Sequence, residues 1–217
     1  MLAVADGMGG HQAGNVASAL AIKATEDLWA ELNRHSLASI EQRNQVLKDL
    51  ILQSNITIIS EAIKNSSKSG MGTTMTAGLL YGNHLTVGHV GDSRAYVIYD
   101  HKIELITRDH SLLEKLLESG EVKPEQAKNH PQRHVLTRAV GIDNNLEVDL
   151  YNLELAPGAI LVFCTDGLTN QVSDEELKIE CLNNINPAQM AENLVKLAND
   201  RGGFDNITVA IATGIGG

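Results

Sequence analysis

Cysteine is scarce: only Cys164 and Cys181 occur in 217 residues, at a separation that matches neither a zinc ligand pair nor a disulfide framework. Both are expected as buried thiols in a reducing cytoplasm. Long apolar runs are missing too. No stretch approaches the ~20 apolar residues of a membrane helix, and the N-terminus lacks the basic, apolar and small-residue blocks of a secretory signal. A soluble protein without membrane contact is the expectation. Basic residues are outnumbered, with 17 Lys and Arg against 27 Asp and Glu and a formal charge of −10. Such a surface repels nucleic acid and anionic membranes, so nucleic acid is not the expected partner. Internal repeats and low-complexity segments are absent. A chain of this length can bury one full core, and 1–217 is read as one domain.

The acidic excess is in most chains solvated surface. Four aspartates here are placed differently, each at the junction of an apolar run and a turn. Asp6 follows Leu2-Ala3-Val4-Ala5 and opens Asp6-Gly7-Met8-Gly9-Gly10-His11. Asp92 lies in Val90-Gly91-Asp92-Ser93-Arg94, Asp166 in Phe163-Cys164-Thr165-Asp166-Gly167-Leu168, and Asp205 in Phe204-Asp205-Asn206-Ile207-Thr208. A strand end holds a carboxylate rigidly, and the glycines at 7, 9 and 10 remove β-carbons that would keep an ion, water or phosphate from the backbone. Singly, Asp92 and Asp205 read as ordinary turn residues. Together the four suggest one acidic cluster.

Apolar spacing predicts a long amphipathic helix from Ala13 to Asn33 and a second from about Ile40 to Ile63. From Met71 the residues favour strands: Thr73 to Tyr81, Leu85 to Val90, Arg94 to Tyr99 and Lys102 to Thr107, read as a run of antiparallel hairpins. His110 to Ser119 reads as a short helix stopped by Gly120, and Glu121 to Arg133 as an irregular surface segment. Strands return at Leu146 to Leu155 and Ala159 to Cys164, the latter apolar enough to be central. Ser173-Asp174-Glu175-Glu176 starts a helix with a capping box, Pro187 opens another, and Ile207 to Ala212 closes the chain as a strand. Two helices, a block of strands and two helices predict an α+β sheet core with helices outside.

Carboxylates with carbonyl and water oxygens suit hard divalent ions, Mg²⁺ or Mn²⁺, whereas zinc recruits His or Cys. A carboxylate bridging two ions ~3.5–4 Å apart lets them share a water and lower its pKa for in-line attack on phosphorus. Phosphate-ester hydrolysis is the natural reaction. His11, on the glycine loop beside Asp6, is the candidate proton donor to the leaving alkoxide.

With Gly72-Thr73-Thr74, Arg108-Asp109-His110-Ser111 and Leu136-Thr137-Arg138-Ala139 added to the blocks above, the ordered set resembles the bacterial type 2C (PPM family) metal-dependent serine/threonine protein phosphatases, essentially end to end. The resemblance implies a four-layer αββα sandwich of two antiparallel sheets flanked by helices. It implies that Asp6 bridges two metals, that Gly7 gives its carbonyl oxygen, that Asp166 and Asp205 complete the second metal's site, and that Asp92 with Asp166 holds a third, weaker ion. His11 becomes the general acid, no phosphoenzyme forms, and the segment of roughly 112–133 is a flap beside the cleft. Substrates would be phosphoproteins made by a serine/threonine kinase. A monomer is the default expectation, with an exposed sheet edge as the feature that would pair copies. Family members usually carry, upstream of Asp-Gly-Met-Gly-Gly, a first strand with a phosphate-binding arginine and a Glu-Asp pair, and this sequence begins after that point. A missing clamp would weaken substrate binding and a missing strand would expose a sheet neighbour. Arg94 and Arg138 are expected in structural salt bridges rather than as replacements. The alternatives are a nucleotide or metabolite phosphatase, a weakly active or non-catalytic metal-binding module that docks a phosphoprotein, and a calcium-binding structural domain. The last is disfavoured because no Asp-x-Asp-x-Asp loop occurs.

Overall fold

Strands that are apolar on both faces need a cover on each side, and this requirement sets the architecture. The computed structural model describes residues 1–32, 37–127 and 130–215, apart from the His11 side chain. In chain order the strands are β1 (Leu2–Val4), β2 (Gly7–Met8), β3 (Gly72–Thr73), β4 (Met75–Tyr81), β5 (His84–Val90), β6 (Arg94–Tyr99), β7 (Lys102–Leu105), β8 (Asp149–Glu154), β9 (Ile160–Cys164) and β10 (Val209–Ala212). The helices are α1 (His11–Glu31), α2 (Ile40–Lys64), α3 (Leu112–Glu118), α4 (Pro124–Ala127), α5 (Asp166–Thr169), α6 (Asp174–Leu182) and α7 (Pro187–Asp200). One antiparallel sheet has the order β1-β4-β5-β8, a second has β10-β9-β6-β7, and β2 pairs with β3 in a short ribbon.

Side chains alternate cleanly between layers. On β9, Leu161 and Phe163 point between the sheets, where they meet Val4, Leu85 and Val87, while Val162 and Cys164 face α6 and α7 with Leu177, Cys181, Met190 and Leu194. On β4, Met75, Ala77 and Leu79 face α1 and α2, packing with Ala17, Ala21, Leu47 and Ile51. Each fully buried Leu, Ile or Phe contributes about 1.5–3 kcal/mol. Three apolar layers thus bind four structural ones, the αββα sandwich expected from the sequence, and both cysteines are buried free thiols. Among the described residues no helix is long and apolar enough to cross a membrane.

Several boundaries differ from expectation. The hairpin run divides: β4–β5 belongs to the first sheet and β6–β7 to the second, and the chain crosses between sheets through Gly91-Asp92-Ser93. Hairpin and crossover look alike in sequence because both need only turn residues between apolar runs. Asp166, expected at a strand-end turn, is the first residue of the one-turn helix α5, and the segment expected to be irregular contains α4. The expected helix end at Asn33 and the flap residues Lys128 and Asn129 lie outside the described residues.

Candidate metal centre

Strand register brings the acidic positions together. Val4 pairs with Thr76 and Met75 with Val90 at one end of the first sheet, while Cys164 pairs with both Arg94 and Val209 at the matching end of the second. Asp6, Asp92 and Asp166 each lie two residues beyond one of these ends, and Asp205 precedes β10. They ring one cavity of about 370 Å³ that Gly7 also lines. All five metal-ligand candidates read from sequence therefore meet at one place.

Each carboxylate is held by its own backbone arrangement. The Asp6 N–H donates to Thr74 Oγ1 at 2.9 Å, and the Asp6 carbonyl accepts from Thr74 N–H and Thr73 Oγ1, both at 2.8 Å. Gly7 packs on α1 so closely that a β-carbon there would stand 2.1 Å from the Gly14 carbonyl oxygen. At position 7 helix packing by itself excludes a β-carbon, a reason the sequence did not show. Asp166 accepts from Asn170 Nδ2 at 3.0 Å, one helical turn on, and the Thr165 hydroxyl donates to the Asn206 carbonyl at 3.2 Å, tying α5 to the Asp205 loop. A β-carbon on Gly167 would fall 2.4 Å from that same carbonyl oxygen. Asp205 Oδ1 accepts from Asn206 N–H at 2.8 Å.

The electrostatics favour a cation. Burial and the charges of Asp166 and Asp205 push the Asp6 carboxyl up to about 7. Burial, Asp166, Asp109 and Asp6 push Asp92 up to about 7 as well. Among the described residues no three His, Cys, Asp or Glu side chains converge tightly enough to make a closed metal cage. Carboxylates this near one another repel, and a divalent cation bound among them would offset that repulsion. The donor set, carboxylates with carbonyl oxygens and without thiolates, fits a hard divalent ion.

His11 opens α1 behind Gly10, whose φ of 87° glycine adopts without strain, but its side chain lies outside the described residues. Arg94 donates twice to Asp109, at 2.9 and 2.7 Å, and Arg138 donates to Asp149 at 2.6 Å. Both are structural ion pairs, as expected. Nothing in the sequence marked Arg133 and His134 as site residues, yet they close the cavity from the loop after α4, with Arg133 Nε donating to His134 Nε2 at 2.8 Å and His134 Nδ1 standing 3.7 Å from Asp166. Asn170 could have been found from its i,i+4 spacing to Asp166 had α5 been recognised. Met8 and Phe204 complete the rim, and a second cavity of about 560 Å³ continues from the ring between α3 and α6.

Residues 1–199 match the sequence profile of the family described as protein phosphatase 2C. The serine/threonine phosphatase stp of Listeria monocytogenes is 37% identical over 208 residues, spanning 96% of this chain and 82% of the relative. The crystal structure of the Mycobacterium tuberculosis serine/threonine phosphatase PstP/Ppp superposes with a TM-score of 0.88 at 37% identity, covering 98% of this chain and 87% of that one. A structure of the PstP catalytic domain in complex with two manganese ions gives a TM-score of 0.86 at 35% identity, with 98% and 86% covered. With motifs, sandwich and acidic ring in agreement, the chain belongs to the protein phosphatase 2C family.

Proposed function

We propose that this chain hydrolyses phosphoserine and phosphothreonine in proteins, using two core Mg²⁺ or Mn²⁺ ions and a third, weaker one, without a phosphoenzyme. The observation that carries the reading is the ring itself: acidic side chains from separate segments enclose one cavity, and burial with like charge holds Asp6 and Asp92 in a state that a divalent cation relieves. Asp6, Asp166 and Asp205 with the Gly7 carbonyl are assigned to the core ions, and Asp92 with Asp166 to the third. When bound, such ions supply charge neutralisation and a water of lowered pKa.

The remaining work falls to the chain's own residues. His11 is assigned as proton donor to the leaving alkoxide on its sequence position. Arg133 and His134 bring donors to the cavity mouth, where a phosphate monoester would enter, and the flap of 112–133 borders the groove in which the polypeptide around the phosphorylated residue would lie. Residues 1–217 act as one domain on this reading. The non-catalytic alternative finds no support among the relatives, which are named as phosphatases.

The test is Mn²⁺-dependent hydrolysis of p-nitrophenyl phosphate and of a phosphothreonine peptide by the 217-residue chain, with Asp166→Ala as control. Metal-dependent turnover that drops by two or more orders of magnitude in the variant is the expected result. A folded protein that binds Mn²⁺ yet turns over neither substrate would overturn the catalytic reading, and turnover of the small ester alone would overturn the protein-substrate assignment.

A further inference from the structure

Beneath the acidic ring, one side chain joins the Asp92 turn to the root of the flap. His110 clasps Gly91 twice: its backbone N–H donates to the Gly91 carbonyl at 2.7 Å, and the Gly91 N–H donates to His110 Nδ1 at 3.1 Å. Gly91 has φ of +112°, and a β-carbon there would stand 2.6 Å from the side chain of Thr74, the residue that also holds the Asp6 N–H. The turn is therefore wedged between Thr74 and His110, with no slack toward either. On its other side the His110 carbonyl accepts the Thr137 N–H at 2.8 Å, and Ser111 bridges Leu136 where the chain returns from the flap.

The hydrogen bond from Gly91 fixes the tautomer, since an Nδ1 that accepts leaves the ring proton on Nε2. Nε2 stands 3.2 Å from Asp149 Oδ2, off the line of a good hydrogen bond, and is the one buried side-chain nitrogen or oxygen without a hydrogen-bond partner among the described residues. Asp149 is itself gripped by Arg138 through its other oxygen at 2.6 Å. The ring plane is further limited by His89, whose centroid is 4.7 Å away and whose Nδ1 and Nε2 are engaged by Thr76 and the Arg108 carbonyl. A ring that faces a carboxylate and accepts from the backbone beside a ligand resembles the arrangement by which outer residues tune metal sites. Here it acts through backbone instead of through a ligating imidazole.

We propose that His110 is a positioning residue for the Asp92 carboxylate: its imidazole, accepting the Gly91 N–H and packed between His89 and the Asp149–Arg138 pair, locks the Gly91-Asp92 turn to the flap root and presents Asp92 to a divalent cation. This rests on the metal-dependent reading above. Loss of such an outer partner typically weakens metal binding 10–100-fold.

The experiment uses Mn²⁺ alone, titrated into the metal-free full chain and followed by electron paramagnetic resonance of the free ion, with thermal unfolding in EDTA measured in parallel. Asp92→Asn identifies the Mn²⁺ site in question by abolishing it. His110→Asn retains an acceptor where Nδ1 stood, whereas His110→Gln places its amide near Nε2 and leaves the Gly91 N–H without one. At the Asp92 site, His110→Gln should bind about 10–100-fold more weakly and His110→Asn within a few-fold of wild type, although both lose thermal stability. Equal Mn²⁺ affinity in both variants, or affinity that simply follows the EDTA melting temperature, overturns the proposal. Should His110→Gln not fold, Asp149→Asn removes the charge that faces Nε2 while keeping the Gly91 contacts. A several-fold weaker Asp92 site is then expected, and wild-type affinity overturns the proposal. If wild type binds no Mn²⁺, or Asp166→Ala binds it normally, the metal reading itself fails. Normal wild-type binding that Asp166→Ala loses but His110→Gln keeps overturns the positioning role alone.

Discussion

Asp6 holds its proton far above the ordinary carboxylate range because burial and the charges of Asp166 and Asp205 oppose ionisation. A carboxyl whose pKa is raised from 3.8 to about 7 on folding carries no penalty below the lower value. The penalty grows as pH rises through the interval and is complete above the upper one, because the folded state binds more protons across it. Metal-free wild type should therefore lose stability relative to Asp6→Asn between about pH 4 and 7 and level off above. Melting temperatures of the two proteins in EDTA across that range check this, and Mn²⁺ should remove the difference at the alkaline end. A flat difference, or one of opposite slope, would contradict the repulsion drawn from the ring's geometry. At this scale the sequence was most legible. Aspartates after apolar strands announced themselves by their apolar approaches, whereas His134 and Asn170 did not, because nothing local marks a residue that arrives from a distant loop or from the cap of a four-residue helix.

Among the elements, the short helices and turns around the ring do the positioning, and their ends are closed by side chains. Ser173 and Glu176 form a reciprocal cap on α6, with Ser173 N–H donating to Glu176 Oε2 at 3.0 Å, and Glu176 also receives Arg201 from the end of α7. Ser173→Ala should cost about 1 kcal/mol, read as a lower urea midpoint with unchanged slope and with phosphatase turnover retained. A loss below a few tenths of a kcal/mol would mean that the Arg201–Glu176 pair, and not the cap, secures that end. The capping box was visible in sequence because its spacing is local. The division of the hairpin run between two sheets was not, since the partner of each strand lies far away in the chain.

At the scale of the whole molecule, one pair marks how closely the sheets approach. Gly78 on β4 faces Phe163 on β9, and a β-carbon at Gly78 would approach the Phe163 ring to 2.6 Å. Gly78→Ala should destabilise by about 1–3 kcal/mol, because the ring is fully buried and its neighbours are close-packed. Adding Phe163→Leu should return part of the loss, which a double-mutant cycle measures as a coupling between the sheets. Additive effects would show that the sheets yield elsewhere. The acidic ring sits at the end of this same interface, so its shape is inherited from how far apart the sheets stand.

Periodicity and turn chemistry in the chain determined the longer helices, most strands and the identity of the acidic positions, since each of these depends on neighbours within a few residues, whereas the layer order came from the family resemblance. The tertiary structure alone decided which strands share a sheet, that Gly7 is needed for its closeness to Gly14, and that Thr73, Thr74 and His110 brace the backbone beneath the ring. Most of these are contacts between segments far apart in the chain, 67 and 68 residues for those of Thr73 and Thr74 with Asp6. They exist only once helices and sheets are packed together with their strand ends matched, and no local pattern encodes that packing.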